Sequence, residues 1–307
     1  MQVLVLGGSG FLGRHVVAAL LDRGHAPVIG TRDPRRLPSS DRATIAFERR
    51  RVRFERMGAS ASWDATLAGI DAVVNCVGIL RPRGRATYDC VHRRAPLALA
   101  SACARLNVRR LIHVSALGLH GDARSGLVRS KLAGEQALLA SGHDVSIVRP
   151  SLLDGDGGYG ARWIRQVARW PVHCIPADAF GRIAVLDVRD AGVAIAALCE
   201  TDGGIDWREV ELGGNDAWSM ADYLAATRAA AALSPARRMR VPAWCARFAS
   251  HFCDLLHLTP FSFGHLELLR RDNLPRPNRL PALLGRSPTP VARRQCSSGA
   301  QTQPQPV

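Results

Sequence analysis

The residues best suited to chemistry open the chain. Residues 3–6 form an apolar run, and three glycines follow at G-x-x-G-x-x-G spacing: Gly7, Gly10 and Gly13. Gly8, Ser9, Phe11 and Leu12 fill the intervals, and an apolar helical pattern then runs from Val16 to Leu21. A strand, a glycine turn and a helix in that order make a dinucleotide-binding loop. Gly7 permits the tight turn, Gly10 lets backbone approach a pyrophosphate, and Gly13 lets the helix pack closely on the strand. The phosphates would meet the helix N-terminus, where free N–H groups and the helix dipole favour negative charge.

A second group of residues bears on which dinucleotide is held. Binders of NAD place an acid after the second strand to hold the ribose 2′-hydroxyl. Here that strand runs into Thr31, Arg32, Asp33, Pro34, Arg35 and Arg36. Arg32, with Arg35 or Arg36 behind it, suits a 2′-phosphate by bidentate pairing. Asp33 could still serve a 2′-hydroxyl, so the expectation is NADP ahead of NAD. Arg14, in the first helix, could add positive charge at the same end.

These residues need a scaffold, and the pattern supplies one. Short apolar runs alternate with helical stretches. Candidate strands are 27–31, 72–76, 110–114, 145–148 and 183–186; candidate helices include 11–23, 91–106, 127–140, 188–200 and 220–232. Such alternation predicts an α/β fold, a doubly wound parallel sheet of Rossmann-like type. Residues 36–70 are irregular and Arg-rich, and no strand is placed there. A glycine-rich loop, 153–160, precedes a helical stretch from Trp163 to Trp170, where a doubly wound protein builds its substrate pocket.

The expected organisation is an NAD(P)-binding domain over 1–235, with substrate-side elements from about 151. A small, basic, mainly helical extension covers 236–285, and a disordered tail 286–307. In 242–258, Trp244, Phe248, Phe252 and Leu255 recur at helical spacing, which predicts a helix packed on the core; a membrane-surface helix is the alternative.

Composition narrows the class. The 307 residues are 47% hydrophobic, which fits a globular protein with a sizeable core. No apolar run approaches the ~18 residues of a spanning helix. Strand-like sequence begins at residue 2, so a cytoplasmic chain is expected, with peripheral attachment to the inner face of the membrane as the alternative. The eight cysteines are scattered without a C-x-x-C pair and read as reduced core thiols, and no metal site is expected. Net charge is +15, and residues 236–307 hold 11 Arg against three acids. That basic end could meet anionic lipid or an acidic protein. No nucleic-acid motif accompanies it, which argues against a nucleic-acid partner.

Five local patterns then converge in order. They are Gly7–Gly13; Val-Val-Asn-Cys-Val-Gly at 73–78; Leu-Ile-His-Val-Ser-Ala-Leu-Gly at 111–118; Arg-Ser-Lys-Leu-Ala-Gly-Glu at 129–135; and Ile-Val-Arg-Pro at 147–150. Together they resemble the atypical short-chain dehydrogenase/reductases, most of all the family of the NADPH-binding accessory subunit of respiratory complex I and its bacterial relatives. The similarity runs from residue 1 to about 285, including His265–Arg270. The resemblance implies a cofactor laid across the C-terminal edge of the sheet. Gly7, Gly10, Phe11, Leu12 and Gly13 would line the pyrophosphate, and Val77 and Gly78 the adenosine or ribose side. Lys131 would reach the nicotinamide ribose, and Pro150 would sit near the ring.

One departure bears on activity. Carbonyl reductases of this superfamily carry Tyr-x-x-x-Lys with a Ser before it; the Lys charge lowers the Tyr pKa so that proton transfer is feasible. Lys131 is present and is the only lysine in the chain. Ser115 matches the family's Ser. Four residues before Lys131, however, stands Leu127, and no Tyr-x-x-x-Lys occurs anywhere. Ser115 alone has too high a pKa to act as the acid, and its simplest role is a backbone hydrogen bond at a strand end. His92, His113, His120 and Tyr159 are possible substitutes. Three readings remain. The first is a nucleotide-bound accessory or assembly factor tied to respiratory or quinone metabolism. The second is an oxidoreductase, epimerase or isomerase acting on a small apolar carbonyl or quinone-like substrate. The third is an NADP-responsive sensor.

Overall fold

The computed structural model describes residues 1–35, 47–201, 207–256, 259 and 261–291. Its centre is a seven-stranded, wholly parallel sheet. Numbered in chain order, the strands are β1 (Gln2–Leu6), β2 (Ala26–Thr31), β3 (Arg49–Arg51), β4 (Ala72–Asn75), β5 (Arg110–Val114), β6 (Val145–Pro150) and β11 (Glu209–Leu212). Their spatial order is β11-β6-β5-β4-β1-β2-β3. The order reverses between β1 and β4, and a doubly wound sheet binds ligands in the crevice outside that point.

The period-two alternation of β1 explains the layers. Val3 and Val5 face one core with Val16, Leu20 and Leu198. Leu4 and Leu6 face the other with Trp63, Leu99 and Leu138. The first layer holds α1 (Phe11–Asp22) and α6 (Val188–Leu198). They pack so closely that a Cβ on Gly192 would press on the His15 backbone. The second layer holds the short α2 (Asp64–Leu67), α3 (Ala95–Arg105) and α4 (Gly126–Ala140).

Two expectations about elements need correction. The stretch 183–186 is not a strand of the main sheet. It divides into β9 (Arg182–Ile183), paired with β12 (Trp218–Ser219), and β10 (Leu186–Asp187), paired with β7 (Leu153–Asp154). Between them the Ala184 amide donates to Ser151 Oγ, outside any ladder. The outer place in the sheet belongs instead to β11, beside β6. The helix expected over 91–106 also opens differently, with a wide π turn over Cys90–Arg94. Pro96 lacks the N–H that His92 O would accept in an α-helix, which accounts for the widened turn.

The remaining elements crown the carboxyl edge of the sheet: α5 (Tyr159–Ala168), β8 (Val172–Pro176), α7 (Met220–Ala230), β13 (Arg237–Val241), α8 (Ala243–Leu256) and α9 (Phe263–Leu268), while α10 (Leu280–Leu284) packs beside α6 in the first layer. β13 pairs in parallel with β8, so the basic extension is joined to the substrate side. Of the expected tail, Arg286 and the Thr289 amide both bond Asp190, and residues 292–307 lie outside the described residues.

Candidate nucleotide and active site

The glycine loop takes its shape from backbone demands. Gly7 has φ +76°, a conformation that side chains disfavour. A Cβ on Gly13 would collide with the Gly7 carbonyl oxygen. The Gly7, Gly8 and Gly10 amides turn inward, to Gly30 O, Val5 O and Gly7 O. They build the turn and are spent as donors. The donors left for a phosphate are the first-turn amides of α1, from Phe11 onward, where no side chain caps the helix. The uncapped helix start, the exposed Ser9 and Gly10 and the close-packed glycines fit a pyrophosphate. Leu12 contributes only backbone, because its side chain lies in the core. The Phe11 ring lies against Gly155 and Gly158, where a Cβ would have no room.

Arg32 follows β2 and is exposed. Asp33 Oδ1 accepts the Arg35 amide at 3.1 Å. Arg36 lies outside the described residues. Arg14 is committed elsewhere: its guanidinium donates to Asp156 O and sits 5.8 Å over the Phe11 ring.

Across the switch point, β4 ends at Asn75. Asn75 Nδ2 donates to His113 Nδ1 at 3.0 Å, and Asn75 Oδ1 accepts the Val77 amide at 3.1 Å. Val77 packs beside Gly7, and Gly78 lies against Lys131 Nζ and His92 Nε2. The loop, Val77, Gly78 and Lys131 therefore lie together along one edge. Pro150 closes β6 on the same edge, its carbonyl accepting the Leu117 amide.

His92 and His113 are tied into the core by hydrogen bonds. His92 Nε2 accepts the Ile79 amide at 3.2 Å, so its proton resides on Nδ1 and faces Ser130 Oγ at 2.8 Å. Burial and then the Lys131 charge push the His92 pKa down to about 3. The same two causes push His113 down to about 3. Both imidazoles are neutral hydrogen-bonding parts of the core. Tyr159 is exposed on α5, and His120 faces the surface carboxylate Asp122.

Ser115 departs from its expected role. It is buried, and among the described residues its Oγ has no hydrogen-bond partner. A buried, unsatisfied hydroxyl carries a free-energy cost, and a bound ligand can relieve it. Lys131 makes no hydrogen bond through its ammonium among the described residues. Burial lowers its pKa, which the charge of Glu135, one helical turn on, partly offsets.

The sequence reading missed the residues that frame this edge. Glu267 on α9 accepts the Arg124 and Ser125 amides, both at 2.7 Å, and so holds the start of α4, the helix of Lys131. Tyr88 packs its ring on Gly126, and its hydroxyl donates to Leu80 O at 2.7 Å. Leu127 meets Gly264 of α9, where a Cβ would come within 2.8 Å of it. Tyr88, Ser125, Leu127, His251 and Phe263 line a cavity of about 290 Å³. The chain positions of these residues gave no local signal, because their partners lie up to 143 residues away.

The uncapped helix over a glycine turn, the 3-2-1-4 order and Lys131 on the same edge define a dinucleotide-binding class, and comparison with known proteins agrees. The NAD(P)H-binding family matches residues 7–173, and this chain belongs to it, as an atypical short-chain dehydrogenase/reductase related to complex I accessory subunits. It is 31% identical over 201 residues to the ceramide reductase of Caulobacter vibrioides, covering 65% of this chain and 61% of that protein. It is 28% identical over 222 residues to the mitochondrial NADH dehydrogenase [ubiquinone] 1 alpha subcomplex subunit 9 of Arabidopsis thaliana, covering 70% of this chain and 54% of that protein. The chain thus spans between half and two thirds of those relatives' lengths. In fold it resembles a nucleoside-diphosphate-sugar epimerase from Staphylococcus aureus, with a TM-score of 0.74 at 17% identity over 96% of this chain and 100% of that one.

Proposed function

We propose that this protein is an NADP(H)-dependent reductase of an apolar carbonyl compound. The observation that carries the reading is the buried, unpartnered Ser115 hydroxyl on the same sheet edge as the glycine loop and Lys131. Arg32, exposed after β2, would pair with the 2′-phosphate, while Asp33 is engaged by the Arg35 amide. Bound NADPH would supply a hydride to the carbonyl carbon. Ser115 Oγ–H would donate to the carbonyl oxygen and orient it. The Lys131 ammonium, made more acidic by burial, would give up the proton that completes the alcohol and regain one from solvent. Leu127, Tyr88 and Phe263 line a cavity whose wall also carries Arg81, Arg124 and Asp254, and its apolar part would suit a long-chain or quinone-like substrate. The ceramide reductase likeness supports a lipid ketone as the class to try first.

The test is NADPH oxidation by the purified protein with a panel of long-chain ketones and ubiquinone. We expect turnover with at least one. Ser115→Ala should lower kcat/KM about a hundredfold while leaving NADPH affinity in place. Tight NADPH binding with no turnover on any acceptor would contradict the reductase reading. It would favour the second reading, a nucleotide-bound accessory factor in a respiratory or quinone-related complex. Leu127 in place of the Tyr and the likeness to complex I subunits support that second reading. The NADP-responsive sensor has no observation of its own in its favour.

A further inference from the structure

Helix α8 presents its apolar face outward. Trp244, Phe248, Phe252 and Leu255 fall on one side of it and are 74%, 73%, 50% and 75% exposed. The side turned to the protein is small: Ala246 and Ser250 are the buried residues, packed near Phe263. This reverses the expectation that the aromatic stripe packs on the core. The surface continues beyond the helix. The Ala177 amide bonds Val241 O, and Phe180, three residues beyond Ala177, is 73% exposed. Beside it, β13 presents Arg237, Arg238, Met239 and Arg240, all exposed.

We propose that α8 docks this protein on an anionic lipid bilayer. Trp, Phe and Leu on an outward face of a 14-residue helix suit the boundary between headgroups and acyl chains. No helix among the described residues is long and apolar enough to cross a membrane, so the contact lies in the plane of the surface. Charge selects the lipid. The chain carries +15, and the segment from residue 236 onward holds 11 Arg against three acids. Of the three arginines on β13, Arg238 is paired with Asp222 at 3.0 Å. Such a surface attracts anionic headgroups. A groove along α8, lined by Trp244, Arg247, Phe248 and His251, shares His251 with the cavity at Leu127. Docking would therefore bring the cavity's rim to the lipid surface. The proposal stands apart from the reductase reading, because docking requires no turnover.

The experiment is co-sedimentation of the full chain with phosphatidylglycerol–phosphatidylcholine vesicles and with pure phosphatidylcholine vesicles. Binding to the anionic vesicles should be at least about tenfold tighter and should weaken with added salt. The double variant Trp244→Glu, Phe248→Glu should lose vesicle binding at least about tenfold while keeping its melting temperature and NADPH affinity, since both side chains are solvent-facing. Arg237→Ser with Arg240→Ser should reduce the preference for anionic over neutral vesicles. Absence of vesicle binding, or equal binding by the double Glu variant, would overturn the proposal. So would a wild-type dimer in solution that the double Glu variant dissociates, in a chain that ignores vesicles; the face would then belong to a second copy.

Discussion

At the scale of the residue, the site is a set of groups held in chosen protonation states. His92 and His113 sit behind Lys131 as neutral imidazoles, their pKa values pushed down to about 3 by burial and by the ammonium. Unfolded, each titrates near 6.5. A depressed folded pKa gives stability that is complete above the unfolded value and is lost as pH falls toward the folded one. Unfolding free energy should therefore drop from about pH 6.5 downward, by up to about 1.4 kcal/mol per pH unit for each histidine. Denaturant titrations at about pH 7 and about pH 5 would read this, and His92→Gln should flatten the slope. A stability unchanged between those two conditions would contradict the neutral, buried assignment. Cys76, Cys103 and Cys199 behave alike in one respect: burial raises their thiols to about 12, so they pack as apolar groups.

At the scale of the element, α4 is the piece on which the chemistry depends, and a distant carboxylate holds its first turn. Ser125 caps the helix by accepting the Val128 amide at 3.2 Å, and Glu267 takes the amides just before it. Glu267→Ala would leave two amides without their acceptor, one of them, that of Ser125, buried, at about 1–3 kcal/mol. Thermal melts should show a Tm lower by several degrees, and NADPH affinity should fall with it, because Lys131 rides on the same helix. An unchanged Tm would mean that α4 is anchored by its packing alone.

At the scale of the whole molecule, the legible and illegible parts divide by range. The glycine loop and the alternation of strands with helices were readable because turn geometry and period-two alternation are local, and Lys131 because it is the only lysine and stands at a family position. The strand β11 was not, because four residues alternating Glu, Val, Glu and Leu carry too little apolar signal. The α8 stripe was seen, but periodicity gives a face and not the direction it points. Tyr88 and Glu267 were invisible because their roles exist only once remote segments meet. Ser115 was found by its match to a family position, and the backbone hydrogen bond expected of it is absent among the described residues, since whether a hydroxyl is satisfied depends on everything packed around it.

On the proposed reading this edge would hold NADP(H), with Arg32 favouring it over NAD(H). The direct measurement is a fluorescence titration of nucleotide-stripped protein with NADPH and with NADH, repeated on Arg32→Glu. The account predicts saturable binding of both, NADPH at least about tenfold tighter, and a reversed preference in the variant. Equal or tighter NADH binding by the wild-type chain would contradict the Arg32 assignment. Binding of neither nucleotide would contradict the site itself.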